Sequence, residues 1–481
     1  MSMLPAPARS SASPARDRLA TAVNGLAVAA IGVLLGLQYV APNKRVLQVL
    51  AAAVLFGVAW RLDLVTGVGV LLLALPFPRG TVFGNTNLAL ILLLLVIWML
   101  RFSTGHAPRP ERTPLDGPIV GLLIAYLLSF NNVRAEHLAG ALNNASLFVG
   151  TVLTYVLVVN NVRTTRDLRV LHGFYLALLG VVLLVSLYEL AFPGRPLVAG
   201  WIEFEHGVTE GIDRRNMRIG GPFFDFELLA EFTALGLLFL GFLLFQASST
   251  TRRVLLGGLL ALCLFILFAT VTRGAIVALA AALLYLGWLV RRRLRFVPLT
   301  IGVVAALIAL AVVYGLVSRY TQAGDVVARF GETTFVDGLP DSRADVWPMA
   351  VERWLRHPVI GSGPYYASRE GLRTWYWPHN LYLFVLNIVG VVGFAFFAWL
   401  LWRLWRATRP ETDDLGDANY AAAYLLMARV QLFLLLVDQI KIEYLRNPIY
   451  QFQVWVMFAL WIAARQIVER ERTRPAPAVA R

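Results

Sequence analysis

Apolar residues recur along this chain in runs of roughly 17–25, the length that crosses a bilayer as a helix. The runs follow one another from near residue 20 to near residue 464. Fourteen such stretches can be marked, the first at 20–41 and the last at 447–464. The pattern predicts an all-α polytopic membrane protein with about 14 transmembrane helices (12–14) and one large loop containing short amphipathic helices. It divides the chain into a tail over 1–19, N-terminal transmembrane helices over 20–192, a second helical group over 193–318, the large loop 319–379, C-terminal transmembrane helices over 380–464, and a tail over 465–481. The two tails, rich in Pro, Ala and Arg, read as disordered. The first apolar stretch is longer than the core of a signal peptide and reads as an uncleaved first span.

Composition agrees. Of 481 residues, 58% are hydrophobic and 15% charged, where soluble domains carry about 25% charged residues. An ordinary soluble globular protein is excluded. The net charge of +14 comes from 43 cations and 29 acids, and only Lys44 and Lys441 among the cations are lysines. A basic balance of this size is compatible with nucleic-acid binding, but the cations sit at span ends, where topology accounts for them. If residues 1–19 face the cytoplasm, the inner segments hold 24 Lys/Arg and the short outer ones 11, with the 319–379 loop set aside. Both termini are therefore expected inside and the large loop outside. The single cysteine, Cys263, lies in an apolar run, so no intrachain disulfide can form.

The outer segments hold the candidate chemistry. Ser342-Arg-Ala-Asp345 has capping-box-like spacing ahead of Trp347, Val351, Trp354 and Leu355, which share a helical face. Pro348 must fall in the first turn, and His357-Pro358 ends the helix. An amphipathic helix on the outer membrane surface is the expectation, and it would also serve as a floor for a lipid-linked substrate. Trp375, Trp377, Pro378, His379 and Asn380 follow. An aromatic belt explains the tryptophans, and a lone histidine is ordinarily structural, but His379 stands at the mouth of a span.

Arg273 occupies the tight outer turn Thr272-Arg273-Gly274, and Arg218 stands at another outer span entrance behind Arg214 and Arg215. Singly, each arginine is explained by snorkelling to lipid headgroups. Together they offer bidentate contacts for a diphosphate. Asp438, Lys441, Glu443 and Arg446 form a charged knot at a further outer span end, which a structural ion-pair network explains, with support of a site as a second use.

At these residues the chain resembles the O-antigen ligase family, whose core is shared with O-antigen and exopolysaccharide polymerases. The signature reads here as His379-Asn380, nine residues, Gly390-Val-Val, then Gly393. Ser342-Arg343, Trp347, His357-Pro358 and Gly361-Ser-Gly363 are similar to the family's lead-in, and Thr272-Arg273-Gly274-Ala275 resembles its outer arginine motif. The match covers roughly residues 215–405. One departure is Phe223-Phe-Asp225-Phe-Glu227, where many members carry Asn-Pro, which leaves Asp225 and Glu227 without a role.

The resemblance implies an inverting, metal-independent transfer of a glycan from undecaprenyl diphosphate to an acceptor hydroxyl, such as that of lipid A–core. The reaction would take place on the periplasmic face of the bacterial inner membrane. His379 would be the base, Arg273 and Arg218 would bind the diphosphate, and Arg343, Arg215 and Asn380 would be further substrate contacts. No cofactor or nucleic acid enters the scheme. The partners are a lipid-linked glycan donor, a glycolipid or glycan acceptor, and membrane lipids. A polymerase of the same superfamily is the alternative. A transporter or flippase for the lipid-linked glycan belongs to a different class, and the few polar residues inside spans (Arg429, Asn143, Asn144, Asn387) argue against it.

Overall fold

The computed structural model describes residues 57, 60–61, 63–74, 86–192, 218–223, 225–291, 311–319, 331, 335–336, 339–365, 377–410 and 419–473. The chain forms two compact units, Met1–Asp63 and Leu64–Arg481. The second unit holds all the elements below. The expected spans before residue 57 lie outside the described residues, as do Arg214 and Arg215.

The described elements are helical apart from one two-residue hairpin, Phe335–Val336 against Leu339–Pro340. Among the described residues, seven helices are long and apolar enough to cross a membrane: Ala135–Asn161, Thr165–Ala191, Phe226–Phe245, Thr250–Ala269, Arg273–Val290, Leu381–Ala407 and Tyr420–Asp438. Leu64–Ala74 and Leu88–Ser103 are shorter apolar helices. Pro448–Thr473 is apolar in its first two-thirds and charged at its end. Its Trp455, Phe458 and Trp461 are fully buried, so it is a central post of the bundle rather than a lipid-facing one.

Several helix starts are fixed by side chains, because a backbone N–H near lipid has no water to bond. Asp225 caps Phe226–Phe245 by accepting from the Glu227 and Leu228 amides. Asn380 does the same for Leu381–Ala407 and Asn419 for Tyr420–Asp438. Thr164 and Asp167 form a reciprocal capping box at Thr165–Ala191.

Helix ends that the alternation of spans assigns to one side meet one another. Arg163 pairs with Glu111 at 3.0 Å, and both Thr165 and Asn419 hydrogen-bond Glu471. At the other end Asn132 donates to the Gly361 carbonyl, and Leu381 N–H donates to the carbonyls of Gln439 and Ile442.

The Leu381–Ala407 helix is broken at Gly390, whose φ of 63° and ψ of −167° lie in a region essentially restricted to glycine. The segment after the amphipathic helix repairs the break. Ser362 and Gly363 donate to the carbonyls of Asn387 and Ile388, while Val391 and Val392 donate to those of Pro358 and Val359. A Cβ at Gly390 or at Gly361 would strike the facing backbone. The motif glycines are therefore where two chain segments pack main chain to main chain.

The amphipathic helix is Val346–Arg356, with Pro348 in its first turn and His357 at its end, as the sequence predicts. The helix begins later than the expected capping box would place it. Asp345 is the N-cap without a side-chain hydrogen bond, and Asp341–Ala344 is a separate helical turn. Val346 and Ala350 are buried against Leu381–Ala407, with the Asn387 amide donating to the Ala350 carbonyl.

Gly390→Ala is expected to destabilise the protein by about 2 kcal/mol or more. Gly180→Ala, in a helix with open space around the glycine, should be neutral or slightly stabilising. Thermal melting of both variants in detergent checks the contrast, and equal melting temperatures would refute this account of the break.

Candidate functional site

Several helix ends converge on His379. Phe226–Phe245, Arg273–Val290, Leu381–Ala407 and Pro448–Thr473 all begin there, and Tyr420–Asp438 ends there. Helix N-termini favour anions, and this end of the bundle carries a matching set of carboxylates.

His379 has a φ of 46°, unusual for a residue with a side chain. The conformation is held from every side. Trp347 Nε1 donates to the Pro378 carbonyl at 3.0 Å, and Asn380 N–H donates to Glu443 Oε2 at 2.9 Å. The ring is seized as well: Nδ1 lies 3.2 Å from Glu227 Oε2 and 2.8 Å from Arg446 Nη1. The two contacts select opposite tautomers. A guanidinium can only donate, so Arg446 requires a lone pair on Nδ1, whereas Glu227 requires a proton there.

Arg446 is the hub of the cluster. Its Nη2 lies 2.6 Å from Asp225 and 2.9 Å from Glu227, and its Nη1 lies 3.5 Å from Glu443. Burial disfavours its charge, but the three carboxylates outweigh burial and hold it more firmly protonated than a free arginine. Glu227 spans the site, with Oε2 toward His379 and Arg446 and Oε1 3.5 Å from Arg343 Nη2. Arg343 also donates to the Lys441 carbonyl, and burial lowers its pKa against the pull of Glu227 and Glu443. One turn deeper, Glu231 accepts from Gln439 at 2.7 Å and from the Tyr450 hydroxyl at 2.9 Å.

The predicted arginines take different places. Arg273 opens its helix, and a side chain on the next residue, Gly274, would run into Lys441. Lys441 in turn pairs with Asp438 at 3.3 Å. Arg273 thus stands beside the segment that supplies Glu443 and Arg446. Arg218 is a clamp. It donates to the carbonyls of Thr270 and Val271 and to the Thr272 hydroxyl, and it stacks on the Phe226 ring at 3.3 Å. The clamped turn is strained, for Val271 is β-branched and has a φ of 52°. Asn380 acts as a helix cap, its side-chain oxygen taken by the Tyr382 and Leu383 amides.

Sequence reasoning missed Glu227, Glu443 and Arg446 as the neighbours of His379. The available signal was charge at span ends, where lipid penalises any group without a partner. Among the described residues, no group of three or more His, Cys, Asp or Glu is arranged to hold a metal ion. The acids at 203, 205 and 213 and the histidine at 206 lie outside the described residues.

Glu443 is buried, and burial, with Glu227 and Asp225 nearby, raises its pKa to about 8 against the opposing pull of Arg446. A carboxyl whose folded pKa is raised stabilises the fold fully below its unfolded pKa and loses that contribution as pH rises through the folded value. Melting temperature should therefore fall between about pH 5 and pH 8, and Glu443→Gln, which keeps the neutral form, should flatten the fall. An identical slope in the variant would remove Glu443 from the account.

No curated protein matches the chain. Residues 258–398 match the family model described as O-antigen ligase. The matched stretch contains Arg273, Arg343, His379, Asn380 and the Gly390 break, whereas Arg218, Glu227, Glu443 and Arg446 lie on either side of it. Through this segment the chain is similar to the O-antigen ligase family.

Proposed function

We propose that the protein transfers a glycan from an undecaprenyl-diphosphate carrier to an acceptor hydroxyl, with lipid A–core as the acceptor. The proposed setting is the periplasmic face of the inner membrane, in a bundle of about fourteen spans. The observation that carries the reading is the His379–Glu227 contact of 3.2 Å at the convergence of helix ends, supported by the match of residues 258–398 to the O-antigen ligase family model.

In the tautomer with Nδ1–H donating to Glu227, the Nε2 lone pair of His379 takes the acceptor proton as the hydroxyl oxygen attacks the anomeric carbon. The bond from that carbon to the diphosphate oxygen breaks, and the configuration inverts. A positioned base contributes about 10²–10⁴-fold. Arg273 binds the departing diphosphate, with Arg343 and Arg215 as further contacts, and the stabilisation grows as charge builds on the leaving oxygens. Arg218 acts by holding the turn that presents Arg273.

An apolar groove of about 690 Å³ beside Asn380, lined by Trp347, Val351, Leu355 and Leu383 among others, fits an isoprenoid chain close to the base. Glu227 is a positioning residue, as in other sites where a carboxylate orients a histidine.

The deciding assay uses purified protein with a lipid-linked glycan donor and either lipid A–core or a second lipid-linked glycan as acceptor. Product on lipid A–core supports the ligase. Lengthened carrier-bound glycan identifies a polymerase instead, and movement of the carrier across the bilayer without product identifies a flippase. His379→Ala should lower turnover by about 10²-fold or more with donor binding near normal; an active variant would overturn the base assignment. Arg273→Ala should weaken donor binding and turnover together, and unchanged kinetics would remove it from the site. Glu227→Gln should reduce kcat by about tenfold or more at constant donor affinity.

A further inference from the structure

At the end of the bundle remote from His379, an open cleft of about 850 Å³ is lined by seven arginines and two glutamates. The Leu381–Ala407 helix measures the separation, with Asn380 capping one end and Arg403 and Arg406 in the last turns of the other. At about 1.5 Å per residue the two sites are roughly 35 Å apart. A bias of cations toward one membrane face explains arginines at this end. It does not explain their arrangement as a fixed, concave array.

Three of the lining guanidinium groups are pinned by neutral acceptors. Arg403 donates to the Pro114 carbonyl at 3.1 Å, and Arg470 donates to the carbonyls of Gln466 and Arg163. Arg429 stacks on Trp405 at 3.3 Å, and it donates to the Trp405 carbonyl and to the Tyr285 hydroxyl. Such bonds set the direction of a guanidinium without cancelling its charge. Of the two lining acids, Glu111 pairs with Arg163, which is not one of the lining residues. Among the described residues no carboxylate pairs with Arg403, Arg406, Arg429 or Arg470. Arg470 Nη2 is moreover buried without a hydrogen-bond partner, a donor that costs free energy until an acceptor meets it.

The surroundings are those of a membrane interface. Trp402 and Trp288 are exposed at this end, with Arg406 and Arg291 stacked over them at 5.1 and 4.6 Å.

We propose that this cleft binds a phosphate-bearing anion through Arg403, Arg406, Arg409 and Arg470. The ligand is either the phosphodiester headgroup of an anionic membrane lipid or a soluble phosphate. The forked guanidinium donors match phosphate oxygens in either case. The proposal stands independently of glycan transfer at His379.

Native mass spectrometry on the full-length protein, titrated with phosphatidylglycerol, phosphatidylcholine or inorganic pyrophosphate, tests it. Phosphatidylglycerol should bind at least about tenfold more tightly than phosphatidylcholine. Arg406→Gln with Arg409→Gln, at two exposed positions, should weaken that binding about 20-fold while phosphatidylcholine binding and melting temperature hold. Displacement of phosphatidylglycerol by pyrophosphate, with pyrophosphate binding in the absence of lipid, identifies a soluble phosphate as the ligand. Retention of phosphatidylglycerol against pyrophosphate identifies the lipid. Equal affinity for the two lipids with no pyrophosphate binding would overturn the proposal. So would anion binding unchanged in both the double variant and Arg470→Gln.

Discussion

A carboxylate at the mouth of a helix near lipid is tolerable only with a cation beside it, and most of the site end of the structure follows from how that demand is met. Arg446 answers for Asp225, Glu227 and Glu443 together. These four residues come from two separate stretches of chain, so one guanidinium ties the start of Phe226–Phe245 to the segment between Tyr420–Asp438 and Pro448–Thr473. His379 is seated on the same guanidinium. Charge pairing here decides where the imidazole sits, and packing of the apolar spans decides the rest.

A second constraint is backbone satisfaction. The break at Gly390 would leave amides and carbonyls stranded inside the bundle if the 358–363 segment did not bond to them. The repair fastens the end of the amphipathic helix to the helix that presents His379. The loop and the span are therefore one mechanical unit, and the short motif glycines on both strands of the repair are its contact points.

Much of this was legible in the sequence. The described helices fall on the marked spans because twenty apolar residues in a row have few other destinations. His379-Asn380 was visible as a span mouth, and Pro348 and His357 bound the amphipathic helix as their chemistry requires. What was hidden were contacts across long sequence separations. Nothing local to Glu227 announces a partner at Arg446, and Asp225 looked idle because its two duties, capping a helix and meeting Arg446, are both completed in three dimensions. The structural use of Arg218 was hidden for the opposite reason. Its placement at a span entrance suggested a ligand, but its donors go to the carbonyls of a strained turn.

The Arg218 clamp bears on how loss of function in this protein should be interpreted. An alanine there would release Thr270 and Val271, and the adjoining Arg273 would wander although its own side chain is intact. A genetic screen would score both positions as equally indispensable and tempt the reader to enrol both as anion receptors. Only a double-substitution cycle separates them, because a bracket and the tool it carries fail together, whereas two independent receptors would fail additively.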